Sequence, residues 1–232
     1  MPDISFEPIR VDDETFLRVA GEAITALDEG DVPYVFIGGI ASAVYGRPRW
    51  THDVDVFVRA GEAHRALTTL AAKGFATQQT DPYWLFKAYK EGVLVDVIFR
   101  SSGDIFLDEE MLRRSIMQEF RGVRLRIMAP EDLLVIKAVV HTELSPRHWF
   151  DALGILARTQ LDWDYLVARS RLAARRMLSL LLYAQSMDLL VPDAVIERMY
   201  RMIFDRTDED RVVAPVALRR ASLPNPAQGS GS

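Results

Sequence analysis

The 232-residue chain contains no cysteine, which excludes disulfides and thiolate metal sites and fits a cytoplasmic protein. It has no apolar run approaching the ~20 residues needed to span a bilayer, so no membrane partner is expected. The first residues, MPDISFEPIRVDDE, lack the basic and apolar regions of a signal peptide. An excess of basic residues is also missing. With 28 Lys and Arg against 33 Asp and Glu, the net charge is -5, and the molecule as a whole is not a basic nucleic-acid binder. Histidine is scarce and no H-E-x-x-H pattern occurs, so His52, His141 and His148 read as solvated or core side chains rather than metal ligands. No internal repeat or low-complexity block interrupts the chain before the Pro, Ser and Gly rich end SLPNPAQGSGS, where disorder is expected.

What is present is an ordinary globular composition, 49% hydrophobic and 26% charged, enough for one large domain or two small ones. Apolar residues at helical spacing predict a helix over about 13–29 with a stop at Gly30. PYVFIGG reads as a short buried strand, IASAVYG as a helical turn or two, DVDVFVR as a second strand and GEAHRALTTLAAKG as an amphipathic helix closed by Gly74. YWLFKAYK and GVLVDVIF are strand-like runs joined by a hairpin turn at Glu91-Gly92. DEEMLRRSIMQEF reads as helical and VRLRIMA as a strand. Pro130 then opens the helix PEDLLVIKAVVHTEL at a position that favours proline, and the pattern stays helical to about residue 205. The expected fold class is α+β: a short mixed sheet core in residues 1–129, a helical C-terminal domain in 130–208, and a disordered tail in 209–232.

Within residues 34–58, YVFIGGIASAVYGRPRWTHDVDVFV, two aspartates interrupt an apolar strand. Strand periodicity points Asp53 and Asp55 to one face and Val54, Val56 and Val58 to the other. The repelling, partly desolvated carboxylates call for a positive partner between them. Asp96 interrupts the strand VLVDVIF in the same way. Adjacent strands that each turn acid to one face place three carboxylates together, an oxygen-only anionic set that suits Mg²⁺ or Mn²⁺. Gly38 and Gly39 end one strand and open a helix, where unobstructed backbone N–H groups can approach a phosphate.

A strand ending in Gly-Gly, thirteen intervening residues, Asp-Val-Asp on a second strand and a third strand-borne Asp together resemble the nucleotidyltransferase superfamily typified by DNA polymerase beta. RPRWTHDVDVFV resembles the Arg-x-Thr-x-Asp-x-Asp form of small bacterial nucleotidyltransferases. APEDLLVIK and RHWFDALGIL are similar to elements of abortive-infection type toxin nucleotidyltransferases, with a longer linker between them than in relatives. The resemblance covers about residues 30–160. It implies transfer of a nucleoside monophosphate from an NTP to a hydroxyl with release of pyrophosphate. Asp53, Asp55 and Asp96 are then the catalytic and metal-binding residues, with Mg²⁺ or Mn²⁺ as cofactor and NTP as substrate. Gly38, Gly39, Ser42, Arg49, Lys137 and Asp151 are the implied nucleotide-binding residues. For Arg47 and Arg49 two roles stay open, binding the triphosphate or pairing with the acids.

The acceptor also stays open between an RNA or tRNA end, as in a toxin with an antitoxin protein partner, and a small hydroxylated molecule such as an aminoglycoside, or a protein side chain. A catalytically inactive nucleotide-binding module is the reading from another class, opposed by the retention of three costly buried acids. RSRLAARR, residues 169–176, is either a solvated helix face or a patch for phosphate or RNA. Tyr83, Trp84, Phe86 and Tyr89 read first as sheet packing, with base stacking by Tyr83 or Trp84 as the alternative.

Overall fold

The computed structural model describes residues 11–48, 51 and 53–205. Arg49, His52 and the expected disordered tail 209–232 lie outside the described residues. The first helix, α1 (Asp13–Glu29), is capped by Asp12, whose side chain accepts the Thr15 N–H at 2.8 Å. Its buried positions Phe16, Val19, Ala20, Ala23, Ala26 and Leu27 keep the helical spacing seen in the sequence. There follow β1 (Tyr34–Phe36), α2 (Gly38–Tyr45), β2 (Asp53–Val58) and α3 (Ala63–Ala72). Then come β3 (Ala76–Asp81), β4 (Leu85–Lys90), β5 (Val93–Ile98), α4 (Glu109–Arg114), β6 (Ile116–Phe120) and β7 (Val123–Ile127). The remainder is helical: α5 (Pro130–Val140), α6 (Arg147–Arg158), α7 (Trp163–Arg169), α8 (Ala174–Ser186) and α9 (Asp193–Phe204).

The strands form one mixed seven-stranded sheet in the order β3-β4-β5-β2-β1-β7-β6, which makes the fold α+β with helices following the sheet. β2 runs parallel to β5 and antiparallel to β1, while β1 runs parallel to β7. Val54, Val56, Val93, Val95 and Val97 are fully buried, and the alternate positions of the same strands carry the acids. One continuous apolar cluster joins the sheet to the helices from α5 onward. Two polar contacts reinforce that union: Tyr45 donates to the Met128 carbonyl and Thr159 donates to the Tyr45 carbonyl, both at 2.7 Å. Among the described residues no helix is long and apolar enough to cross a membrane.

The expected hairpin is present. Glu91 and Gly92 take φ of 49° and 80°, the left-handed pair that a two-residue turn between right-twisted strands requires. Two expectations are corrected. The helix expected over DEEMLRRSIMQEF ends at Arg114, and Ile116–Phe120 is strand β6, paired antiparallel with β7. A second left-handed pair, Arg121 at φ 51° and Gly122 at 85°, folds it back there. The pairing satisfies backbone groups, while four of its five residues are exposed, so no burial pattern marks it as strand. The helix begun by Pro130 stops at Val140 rather than near residue 144, because His141 is extended and the chain turns through Thr142 to Ser145 before α6. Strand β3, polar and exposed along most of its length, is a further element that apolar alternation does not reveal.

The arginine-rich segment divides in the structure. Arg169 is no surface group: it bonds the fully buried Asp132 and also Asp108, each at 2.7 Å, and Tyr165 donates to the other Asp132 oxygen at 2.8 Å. Arg175 lies over the Phe204 ring and Arg176 donates to the His141 carbonyl. Burial pushes the Asp132 carboxyl up to about 6, against the opposing pull of Arg169 and Tyr165. Arg169→Met should therefore destabilise the fold by about 3 kcal/mol at pH 8, since it strands a buried carboxylate. A folded-state value above the unfolded one favours the protonated acid. The loss should shrink as pH falls through 6 toward 4, as urea denaturation at several pH values would measure.

Candidate active site

Strand β1 has three buried residues, and the chain leaves it through Ile37 into the N-terminus of α2. Gly38 sits at φ 62°, and a Cβ there would fall 1.8 Å from Asp55 Oδ2. Both the backbone conformation and the space demand glycine. The Gly39 N–H donates to Asp55 Oδ2 at 3.4 Å, and the Ile37 N–H donates to the Asp55 carbonyl at 3.0 Å. The glycine pair thus seats a carboxylate as well as opening a helix whose positive end faces it.

Register then assembles the acids. Asp55 on β2 lies directly beside Asp96 on parallel β5, and Asp53 is two residues earlier on the same face. Ligand oxygens of Asp53, Asp55 and Asp96 lie within 4.8 Å of one another. Hard, oxygen-only donors at such separations fit a divalent cation of the magnesium type. On the far side of β5, Lys87 of β4 stands opposite Asp96, and its Nζ donates to Asp96 Oδ1 at 3.0 Å. Thr51 Oγ1 donates to Asp53 Oδ1.

Burial, then the neighbouring charges of Asp53 and Asp96, push the Asp55 carboxyl up to about 6, while Lys137 and the Gly39 N–H oppose the rise. Burial also raises Asp96, with Lys87 opposing. Among the described residues, the positive partners of the acids are Lys87 for Asp96 and Lys137 for Asp55. Arg47 is not one of them: its guanidinium bonds Asp151 Oδ1 at 2.6 Å.

These groups line a cavity of about 680 Å³ that includes Gly38, Gly39, Asp53, Asp55, Asp96 and Lys137. Lys137 and Asp151 are both buried, and Lys137 Nζ bonds Asp151 Oδ2 at 2.9 Å. The cavity lining includes Lys137 but not Asp151, so one carboxylate braces the lysine from behind and Arg47 as well. Ser42 is fully buried, outside the lining, and spends its hydroxyl on the Gly38 carbonyl at 2.7 Å. Arg49 lies outside the described residues. His148 lines the cavity, and His141 packs its ring against Trp149 at 4.6 Å.

Sequence reasoning passed over several lining groups. Lys87 had a usable signal, because counting back from the Glu91-Gly92 turn pairs residue 87 with residue 96. Arg100, Ser101, Ser102, Gly103 and Asp104, in the turn after β5, and Arg147 at the start of α6 also line the cavity. A Ser-Ser-Gly turn leaving an acid-bearing strand was the available hint for the first group. None was available for Arg147.

Residues 16–175 match the family model described as a nucleotidyl transferase of unknown function (DUF2204). A search of curated proteins gives no match. Among solved structures the chain is similar to the antibiotic-resistance factor ANT(2″)-Ia in solution, at 17% identity and a TM-score of 0.48, covering 82% of this chain and 99% of that one. It is similar to the lincosamide antibiotic adenylyltransferase LnuA, at 12% identity and a TM-score of 0.46, over 61% of this chain and 97% of that one. It is also similar to MenT4, a nucleotidyltransferase toxin from Mycobacterium tuberculosis H37Rv, at 16% identity and 0.41, over 84% and 85%.

The raised acid at the centre of the cluster has a measurable consequence. In chelator at pH 8, Asp55→Asn should stabilise the protein by on the order of 2 kcal/mol, because an ionised Asp55 is held there against burial and two like charges. The stabilising effect of protonating Asp55 is complete below about 4 and lost as pH rises through 6, so the variant's advantage should vanish near pH 4. Added Mg²⁺ should raise the melting temperature of the parent and leave the variant nearly unmoved.

Proposed function

The chain belongs to this family of nucleotidyl transferases, and from that premise we propose that it moves a nucleoside monophosphate from an NTP to an acceptor hydroxyl and releases pyrophosphate. The observation that carries the reading is the union, in one cavity, of three carboxylates from two adjacent strands with a glycine-opened helix N-terminus and a buried lysine. That combination supplies opposite charges for the two halves of one reaction, cations for phosphates and anions for a metal and a proton.

Asp53, Asp55 and Asp96 would hold Mg²⁺ or Mn²⁺, which when bound lowers the pKa of the attacking hydroxyl and screens the phosphates. The chain's own groups do the rest. The N–H groups at the start of α2 and the Lys137 ammonium receive the triphosphate and neutralise the charge that builds on the leaving pyrophosphate. Asp151 is the carboxylate partner that a buried lysine requires. Asp96 accepts the hydroxyl proton as the acceptor oxygen bonds to the α-phosphorus. The α-to-β phosphoanhydride bond breaks, and pyrophosphate carries the electron pair away.

The reading is tested by incubating the protein with each NTP, Mg²⁺ and pools of RNA and small hydroxylated acceptors while measuring pyrophosphate. Release should depend on the metal and fall by about 10²-fold or more in Asp53→Asn and Asp96→Asn, the scale on which lost transition-state electrostatics act. A nucleotide-binding module without activity would instead show an NTP-dependent rise in melting temperature and no pyrophosphate with any pool.

A further inference from the structure

We propose that Tyr83 and Trp84 form the acceptor subsite and that it receives a nucleobase with a neighbouring phosphate. The proposal rests on the nucleotidyl-transfer reading of the same cavity and adds the chemical class of the acceptor.

Both residues line the cavity that contains the carboxylates, and Tyr83 is 74% and Trp84 43% exposed. Large rings left in water are surface that a ligand can cover with gain. Their backbone is not loose. Asp81 Oδ1 accepts the Tyr83 N–H at 2.8 Å, and the Trp84 carbonyl accepts the Phe99 N–H at 3.0 Å, tying the β3–β4 turn to the end of β5. The backbone that carries the rings is therefore held in place before any ligand arrives, which reduces the ordering cost of binding.

Its position assigns it to the acceptor. Across the sheet run β1, which ends in the glycine pair, then β2 with Asp53 and Asp55, then β5 with Asp96, then β4. Leu85 pairs with Ile98, two residues beyond Asp96 along β5, and Trp84 lies one residue further. The rings thus stand diagonally across the carboxylates from Gly38 and Gly39. In-line displacement sets the attacking and leaving oxygens on opposite sides of phosphorus. With pyrophosphate leaving toward the glycine half, the attacking hydroxyl enters from the half that holds Asp96 and the rings.

Charge selects among ring-bearing acceptors. Among the described residues lining the cavity, the one carboxylate outside the triad is Asp104, and Arg100 already bonds it. Arg147 adds a further guanidinium to the lining. The Arg100-Asp104 pair offers neither charge alone, so a polyamino sugar meets no further uncompensated acid there, whereas a nucleotide finds an aromatic face for its base and the Arg147 guanidinium for its phosphate.

The test measures binding in chelator, so that it is separate from chemistry, using the full chain and a labelled single-stranded RNA hexamer followed by fluorescence anisotropy. Tyr83→Ala with Trp84→Ala should weaken hexamer binding by about tenfold or more, while Tyr83→Phe with Trp84→Phe should retain it. Affinity for a non-hydrolysable NTP should be the same in all three proteins. A nucleoside monophosphate distinguishes the sources: if the hexamer binds more tightly, the acceptor is a strand end, and if the two bind equally, it is a free nucleotide. Unchanged hexamer affinity in the alanine pair would overturn the proposal. So would a loss of NTP affinity instead, which would give the rings to the donor base, or displacement of the hexamer by a polyamino sugar. Pyrophosphate release by the parent separates the two readings. Its absence alongside ring-dependent RNA binding removes transfer and leaves a nucleobase site, whereas its presence with ring-independent binding removes the subsite alone.

Discussion

Three carboxylates whose oxygens lie within 4.8 Å of one another on a half-buried sheet face repel each other and lose hydration, and the architecture around them answers that difficulty. Asp55 bears the most of it, with a carboxyl pushed up to about 6. Its compensation comes from three directions: the Gly39 N–H, the positive end of α2 and the charge of Lys137. Asp96 is balanced separately by Lys87 on the next strand. The cluster is a site that favours an added cation, because the protein's own positive groups stand at its edges and offset the repulsion only in part.

The same need explains the supporting interactions behind the cavity wall. A buried lysine must itself be paired, and Asp151 does this while also taking Arg47. Asp151 is thereby shared between the Lys137 ammonium and the Arg47 guanidinium, which keeps the buried acid and the buried lysine compensated. The cavity thus brings the glycine pair, Lys137, the three carboxylates and the Tyr83-Trp84 turn into one lining. Gly38 links these parts most tightly, since a single methyl group there would occupy the position of the Asp55 carboxylate.

How much of this was legible in the chain can be judged from particular residues. The α1 helix, the Glu91-Gly92 hairpin and the acid-bearing strands were readable because their apolar periodicity and turn residues agree with their final environment. Strand β6 was not, because Ile116, Met117 and Phe120 fit a helical spacing and its mostly exposed side chains carry no strand burial pattern; backbone pairing with β7 across the Arg121-Gly122 turn makes it a strand. Strand β3 carries no apolar alternation at all. Among site residues, Asp53, Asp55, Asp96, Gly38, Gly39 and Lys137 were named from the sequence and line one cavity. Ser42 and Asp151 are instead turned to neighbouring groups behind its wall. Arg169 looked like surface charge and is spent on a buried aspartate.

The sequence by itself determined which chemistry is available: two acid-interrupted strands, a glycine pair at a strand end and no thiolate ligand, all consequences of residue type and local period. Tertiary structure alone decided that Asp55 and Asp96 are direct partners on parallel strands, that Asp151 serves Lys137 and Arg47, and that Tyr83 and Trp84 overlook the carboxylates. The physical reason is that period and turn chemistry act over a few residues. Strand register between segments about forty residues apart, and the seating of α5 and α6 over the sheet, are set by packing that buries one shared core.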